Sequence, residues 1–251
     1  MEGTTVRGGL GWRQSTLVDT IVETPRVKSL VLDVPNSLAH RAGQHVDVRL
    51  TAEDGYQAAR SYSIASPPEE RRLVLTIERL DDGEVSPYLV DELRVGDPLE
   101  LRGPIGGYFV WESSMSGPLL LIAGGSGIVP LRAIIRHRIA TNSDAPVRLV
   151  YSVRTPDDVI YRQEMDRLAT SATGIEVIYT FTRVAPGGWA GYQRRIDAAL
   201  LAEVCWPPES KPTAFICGPT PLVETAANIL STLGYQPTSI KTERFGPTGG
   251  P

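Results

Sequence analysis

The chain has 251 residues, 41% hydrophobic and 22% charged, with 25 Lys and Arg against 29 Asp and Glu for a net charge of −4. That length holds one large or two ordinary domains with real cores, the acidic balance argues against nucleic acid as the main partner, and no run of roughly 18 apolar residues marks a membrane-spanning helix. Two cysteines, Cys205 and Cys217, cannot ligate an iron–sulfur cluster alone, and His40, His45 and His137 form no metal motif.

The opening "MEGTTVRGGLGWRQ" lacks the apolar core of a signal peptide, so a cytoplasmic protein without disulfides is expected. The strand signals begin with "STLVDTIVET" and "VKSLVLDV", separated by Pro25, and continue through "AGQHVDVRL", "ARSYSIAS", "RRLVLTIERL" and "DPLELRG". One helix is expected among them, in "GEVSPYLVDEL", with Val85, Leu89 and Leu93 on one face and Ser86 as N-cap before Pro87. These spacings predict an antiparallel Greek-key β-barrel over residues 1–113.

The pattern changes at the small-residue stretch "SSMSGP", residues 113–118. Beyond it, strand and helix alternate: "PLLLIA", "IVPLRAIIRHRIA", "VRLVYSV", "RQEMDRLA", "IEVIYTFTR", "DAALLAEV", "TAFICGP", "PLVETAANILSTLG" and "IKTERF". Residues 114–251 therefore read as an α/β doubly wound parallel sheet. The halves also differ in charge, with 12 basic against 18 acidic residues in 1–113 and 13 against 11 in 114–251, which favours an anionic ligand on the second half.

Period-two geometry in "ARSYSIAS" sends Arg60, Tyr62 and Ile64 to one side of a strand and Ser61, Ser63 and Ala65 to the other. A guanidinium, an aromatic face and a hydroxyl on rigid backbone suit a ligand with a phosphate and a flat ring. In "IAGGSGIVPL", Gly124, Gly125, Ser126 and Gly127 sit between strand and helix, where a helix N-terminus attracts phosphate. The spacing is neither the dinucleotide G-x-G-x-x-G nor a P-loop, so a purely structural turn is the alternative. Thr182 and Arg183 end one strand, Arg154 ends another, and Tyr192 and Arg194 follow in "GYQRRID". Sheet ligands sit outside the carboxyl ends of strands, and converging arginines suit a phosphate, although any single arginine is more often a solvated surface residue. In "FICGPTPL", Cys217, Gly218 and Pro219 form a third strand-to-helix turn, with Cys217 either lining a pocket or buried as a small apolar residue.

Taken together, "RSYSIAS", "GEVSPYL", "LRGPIGGYF", "AGGSGIVPL", "YSVRTPDDVIY", "ICGPTPLV" and "ERFGP", in that order from about Trp12 to Gly250, resemble the ferredoxin–NADP⁺ reductase superfamily. The resemblance implies a flavin on the R-x-Y-S strand, with Ser61 among the cofactor-binding residues, Arg60 at the pyrophosphate, Tyr62 along the ring and ribityl chain, and Ser63 near flavin N5. It implies that Gly83, Val85 and Ser86 meet the pyrophosphate, which favours FAD over FMN. It assigns Gly124, Gly125, Ser126, Gly127, Cys217, Gly218 and Pro219 to a nicotinamide nucleotide. Thr182 and Arg183, helped by Arg154 and Arg194, would meet a 2′-phosphate, which favours NADPH over NADH. Glu243 would stand near the nicotinamide, and Phe245 or the tail after it would cover the flavin ring.

The activity so implied is hydride transfer between NADPH and bound FAD, with Ser63, Cys217 and Glu243 as the catalytic set. With no cluster cysteines in these residues, the electrons would pass to a separate acceptor such as a ferredoxin or an oxygenase component. The alternatives are reduction of a small acceptor such as free flavin or a quinone, and a non-catalytic nucleotide-binding electron-transfer subunit of a larger complex. No nucleic-acid or membrane partner is expected.

Overall fold

The computed structural model describes residues 11–171 and 174–245. Gly246, Pro247 and the rest of the expected tail lie outside the described residues, as do residues 1–10.

Six antiparallel strands form the first sheet: β1 (Arg13–Thr24), β2 (Val27–Asp33), β3 (His45–Thr51), β4 (Gln57–Ser63), β5 (Leu73–Glu78) and β6 (Pro98–Ile105). Their spatial order is β4-β3-β6-β1-β2-β5. The sheet closes on itself just past β4, where Ile64 pairs with Leu75 and the Ala65 N–H donates to the Val74 carbonyl at 2.8 Å. The β-barrel expected from the strand spacing is therefore formed. Alternation fills it: Leu30 and Leu32 of β2, Val46 and Val48 of β3, Leu75 and Ile77 of β5, and Leu99 and Leu101 of β6 point inward and are buried. Burial of each such side chain is worth about 1.5–3 kcal/mol against the chain entropy.

The expected helix over residues 83–93 is shorter than the sequence pattern indicates. A wide turn spans Tyr88–Glu92, closed by the Leu93 N–H on the Tyr88 carbonyl at 3.0 Å. Val85, Leu89 and Leu93 do share a buried face against the barrel core. Ser86 is not the helix cap: its Oγ accepts the Leu80 N–H at 3.1 Å, a bond that folds the 80–86 loop back on itself. The loop's own orphan N–H competes for the hydroxyl and wins.

The second sheet is wholly parallel, from β7 (Leu119–Gly124), β8 (Val147–Val153), β9 (Ile175–Phe181), β10 (Thr213–Pro219) and β11 (Ile240–Phe245), in the order β11-β10-β7-β8-β9. All six residues of β7 are buried, as a strand covered on both faces requires. The helices α1 (Ile128–Ala140), α2 (Arg162–Thr170), α3 (Ala198–Val204) and α4 (Thr220–Thr232) cover the sheet. Asp197 caps α3 by accepting the Leu200 N–H at 3.0 Å. No helix among the described residues is long and apolar enough to cross a membrane.

The two sheets share one apolar cluster. Val27, Ala42, Ala65, Phe109 and Trp111 pack with α1, β7, β8 and β10 residues, and Phe109 meets Phe215 edge-to-face at 5.2 Å. The Tyr108 hydroxyl donates to the Ile240 carbonyl at 2.7 Å, and Lys241 Nζ donates back to the Tyr108 carbonyl at 3.0 Å.

Candidate functional site at the barrel strand and the switch point of the sheet

Just past β4 the alternation separates two cores. Ile64 belongs to the barrel interior, whereas Ala65 belongs to the cluster shared with the second sheet. Ser63, on the Ala65 side, is 7% exposed. Tyr62 is half-buried against the barrel core, and burial pushes its phenol up to about 12, so it is neutral throughout the physiological range. Ser61 donates to Asp47 Oδ1 at 2.6 Å.

Arg60 is exposed at the start of this run. Its Nη2 meets Glu84 Oε2 at 2.5 Å, and the Tyr56 hydroxyl donates to the other Glu84 oxygen at 3.0 Å. The Gly83–Ser86 loop is thereby held beside the arginine. A β-carbon on Gly83 would lie 2.9 Å from Ser86 Oγ, so any side chain there would crowd the loop and its serine hydroxyl. Val85 is buried in the barrel core, so only its backbone is available to a ligand. The donor set fits a flavin diphosphate: a guanidinium, a hydroxyl and loop N–H groups beside a half-buried aromatic edge.

In the second sheet, β7 and β10 are neighbours and the chain winds in opposite directions on either side of them. Their carboxyl ends form the switch point at which open α/β sheets bind ligands. Gly124–Gly127 follows β7 and Cys217–Pro219 ends β10, so the structure brings these two expected segments together. The contact is backbone on backbone. A β-carbon on Gly127 would lie 2.0 Å from the Cys217 carbonyl oxygen, and one on Gly218, at φ +150°, would lie 3.0 Å from Gly124. Gly125 has φ +52° and open space where a side chain would point. The turn also approaches β5 of the barrel.

Glu243 pairs in register with Cys217, and Phe245 with Pro219. Burial alone pushes the Glu243 carboxyl up to about 7. The Cys217 side chain is fully buried and its thiol is pushed well up by burial, then by the neighbouring Glu243 charge. The thiol is thus packed as a small buried group, one of the two placements that the sequence left open. Phe245 is partly buried against the shared cluster.

Thr182, Arg183, Arg154 and Arg194 gather at the other edge of the sheet. Thr182 N–H donates to the Val153 carbonyl, and Arg183 N–H to the Arg154 carbonyl, both at 2.9 Å. Tyr192 bridges to Thr180 in parallel, and the Thr180 hydroxyl donates to the Arg194 carbonyl. Arg154 is ion-paired with Asp158 at 3.2 Å and Arg194 with Asp197, whereas Arg183 is exposed with no ion pair among the described residues.

A buried polar group between the sheets belongs to none of the sequence motifs. Arg132 of α1 donates to Glu164 Oε2 at 2.7 Å and lies 4.2 Å from the Tyr161 ring centroid. The Tyr161 hydroxyl meets Thr76 Oγ1 of β5 at 2.5 Å. Burial disfavours the Glu164 charge, yet Arg136 and Arg132 together hold its carboxyl below the usual range. The available signal was the run "RAIIRHR", which places Arg132 and Arg136 one turn apart on an otherwise apolar helix.

Comparison with known proteins agrees with this arrangement. Residues 15–110 match the oxidoreductase FAD-binding domain and residues 121–228 the oxidoreductase NAD-binding domain. The chain is 31% identical over 236 residues to the glycine betaine monooxygenase reductase subunit of Chromohalobacter salexigens, across 92% of this chain and 63% of that protein. It therefore spans less than two thirds of the length of that relative. It is 30% identical over 233 residues to NADH-cytochrome b5 reductase 1 of Eremothecium gossypii, across 90% of this chain and 80% of that protein. The fold superposes with a TM-score of 0.83 on the flavohem-like FAD/NAD-binding domain of nitric oxide dioxygenase from Vibrio cholerae, at 27% identity and covering 94% and 99% of the two chains. With a flavin-binding barrel joined to a nicotinamide-nucleotide sheet, and relatives of both kinds along its length, the chain belongs to the ferredoxin–NADP⁺ reductase superfamily of FAD- and NAD-binding oxidoreductases.

Proposed function

We propose that this chain is an NAD(P)H-dependent flavin oxidoreductase that takes a hydride from NADPH onto bound FAD and passes electrons to a separate acceptor, a ferredoxin or an oxygenase component. The observation that carries the reading is the placement of the switch point formed by Gly124–Gly127 and Cys217–Pro219 against the barrel. A dinucleotide seated there faces a ligand held along β4.

In this reading each residue has a positional task. Arg60 anchors the diphosphate, with Glu84 and Tyr56 fixing its guanidinium. The backbone at Gly83 and Val85, with the Ser86 hydroxyl, completes that cradle. Tyr62 and Phe245 present aromatic faces to the ring system. Ser63 offers a hydroxyl at the edge facing the second sheet. The helix α1 aims its N-terminus and the Gly125–Gly127 turn at the dinucleotide phosphates. Glu243 offers a carboxyl that is protonated below about pH 7 and ionised above it. The flavin, when bound, supplies an acceptor for two electrons that can release them singly.

NADPH is favoured over NADH by Arg183, whose guanidinium is not committed to a carboxylate, with Thr182 beside it and Arg154 and Arg194 as paired neighbours. The relatives named as reductase subunits of a monooxygenase support a protein acceptor. A cytochrome c reduction assay with NADPH, run alone and with added ferredoxin, free flavin or quinone, tests the acceptor. Stimulation by ferredoxin is expected; turnover with free flavin or quinone alone would assign the chain to reductases of small acceptors.

A further inference from the structure

Among the contacts that join the two sheets, one buried side chain bonds directly to the backbone beyond β4. Arg132 lies on the second turn of α1, the helix that continues from the Gly124–Gly127 turn, and it is 9% exposed. Its Nη1 donates to the Ala65 carbonyl at 3.3 Å. Ala65 is two residues beyond Ser63 on the same extended run. Three partners fix the guanidinium: the Ala65 carbonyl, Glu164 Oε2 and the face of Tyr161.

Each partner is itself anchored. Glu164 also accepts from Arg136 Nε at 2.6 Å, and Arg136 reaches Glu70 at 2.8 Å in the loop that follows the β4 run. His137 meets Glu69 in the same loop at 2.6 Å. Tyr161 has φ 59°, an uncommon conformation for a bulky residue, and its hydroxyl bonds Thr76, which in turn bonds Ser29 of β2 at 2.8 Å. The Ser66 hydroxyl accepts the Val74 N–H at 3.0 Å, so the segment is pinned from the barrel side as well. A buried charge-assisted set of this kind is rigid when every member is satisfied.

We propose that Arg132 is the positioning residue for hydride transfer: it ties the backbone of the flavin strand at Ala65 to the helix that carries the dinucleotide turn, and so sets how closely the two rings approach. The proposal rests on the function stated above. Arg132 touches neither ring; it acts through Ala65 and α1. Misplacement by about 1 Å at a distance from the chemistry can cost on the order of 100-fold in rate.

The test is anaerobic rapid mixing of FAD-loaded wild type, Arg132→Met, Arg132→Lys, Glu164→Gln and Tyr161→Phe with NADPH over a range of concentrations. It reads the limiting rate of flavin bleaching, the apparent nucleotide affinity and the long-wavelength charge-transfer absorbance of the mixed complex. Amide hydrogen exchange of residues 63–66 in the flavin-free proteins supplies a readout independent of turnover. For Arg132→Met we expect nucleotide affinity within about threefold of wild type, a limiting rate lowered by on the order of 100-fold, a diminished charge-transfer band and faster exchange at residues 63–66. Arg132→Lys, which keeps a donor for the Ala65 carbonyl, recovers part of the rate. A limiting rate near wild type in Arg132→Met overturns the proposal, as does a loss explained wholly by flavin content or nucleotide affinity. Should Arg132→Met fail to fold, Glu164→Gln and Tyr161→Phe decide: slowed bleaching at unchanged affinity supports the proposal, and wild-type rates in both overturn it. A wild-type protein that NADPH does not bleach sinks the function itself, whereas bleaching unaffected by any of these variants sinks only the role of Arg132.

Discussion

Gly127 and Cys217 meet so closely that a β-carbon on the glycine would stand 2.0 Å from the cysteine carbonyl oxygen. No rotamer relieves such a clash, because both partners are backbone. Gly127→Ala therefore forces the β7 and β10 loops apart, at a cost of about 1–3 kcal/mol or more. The expected outcome is a lowered unfolding temperature together with weakened nucleotide binding, read by thermal denaturation and by NADPH titration. An alanine variant with unchanged stability and affinity would contradict the contact.

Arg60 is the exposed anchor of the proposed diphosphate cradle. Arg60→Ala removes charge-assisted hydrogen bonds worth about 1.5–3 kcal/mol, so flavin affinity should fall by about 10- to 100-fold. Flavin content after purification and fluorescence titration of the stripped protein check it. The ion pair with Glu84 is half-exposed and worth little to stability, so the unfolding temperature of the flavin-free protein should hardly change.

Ser63 is a buried hydroxyl at the end of β4, proposed to stand near the reacting edge of the flavin. Ser63→Ala should retain flavin but slow its reduction by about tenfold, the worth of roughly one neutral hydrogen bond. Stopped-flow absorbance measures this, and an unchanged rate would remove Ser63 from the reaction.

Arg183 is proposed to discriminate between the nucleotides. Arg183→Ala should weaken NADPH by about 10- to 100-fold and leave NADH nearly unchanged, because only the former carries the 2′-phosphate. Parallel KM determinations for the two nucleotides give the answer; equal losses would overturn the NADPH preference.

Glu243 links the site to pH. Its carboxyl rises from an ordinary 4.5 to about 7 on burial, so the folded protein holds that proton more tightly than the unfolded chain does. The burial penalty is absent below the unfolded value, grows as pH climbs toward 7 and stays constant above it. Glu243→Gln should therefore stabilise the protein above pH 7, by on the order of 2 kcal/mol, and lose that advantage as pH falls below 5. Denaturation series at pH 5 and pH 8 test the sign; an equal difference at both values would assign the effect to packing alone.

Much of this was legible in the chain because local pattern and tertiary demand agree. The apolar run "PLLLIA" could only be a strand covered on both faces, and β7 is buried along its whole length. Glycine spacing marked Gly124–Gly127 as a turn, but spacing alone could not show that Gly127 is there to admit the Cys217 backbone, which arrives from 90 residues further along the sequence. Ser86 looked like a cap because a serine before proline usually is one; its hydroxyl instead satisfies Leu80, a partner no local rule predicts. Arg132 was invisible for the opposite reason. An arginine in a helix reads as solvated surface until the fold supplies Ala65, Tyr161 and Glu164 from three separate segments.

The measurement that bears most directly on the central claim is anaerobic titration of the purified, FAD-supplemented protein with NADPH and with NADH, followed by flavin absorbance. A yellow protein is expected, which NADPH bleaches stoichiometrically and more readily than NADH does. A protein that takes up no flavin, or a bound flavin that neither nucleotide reduces, would contradict it.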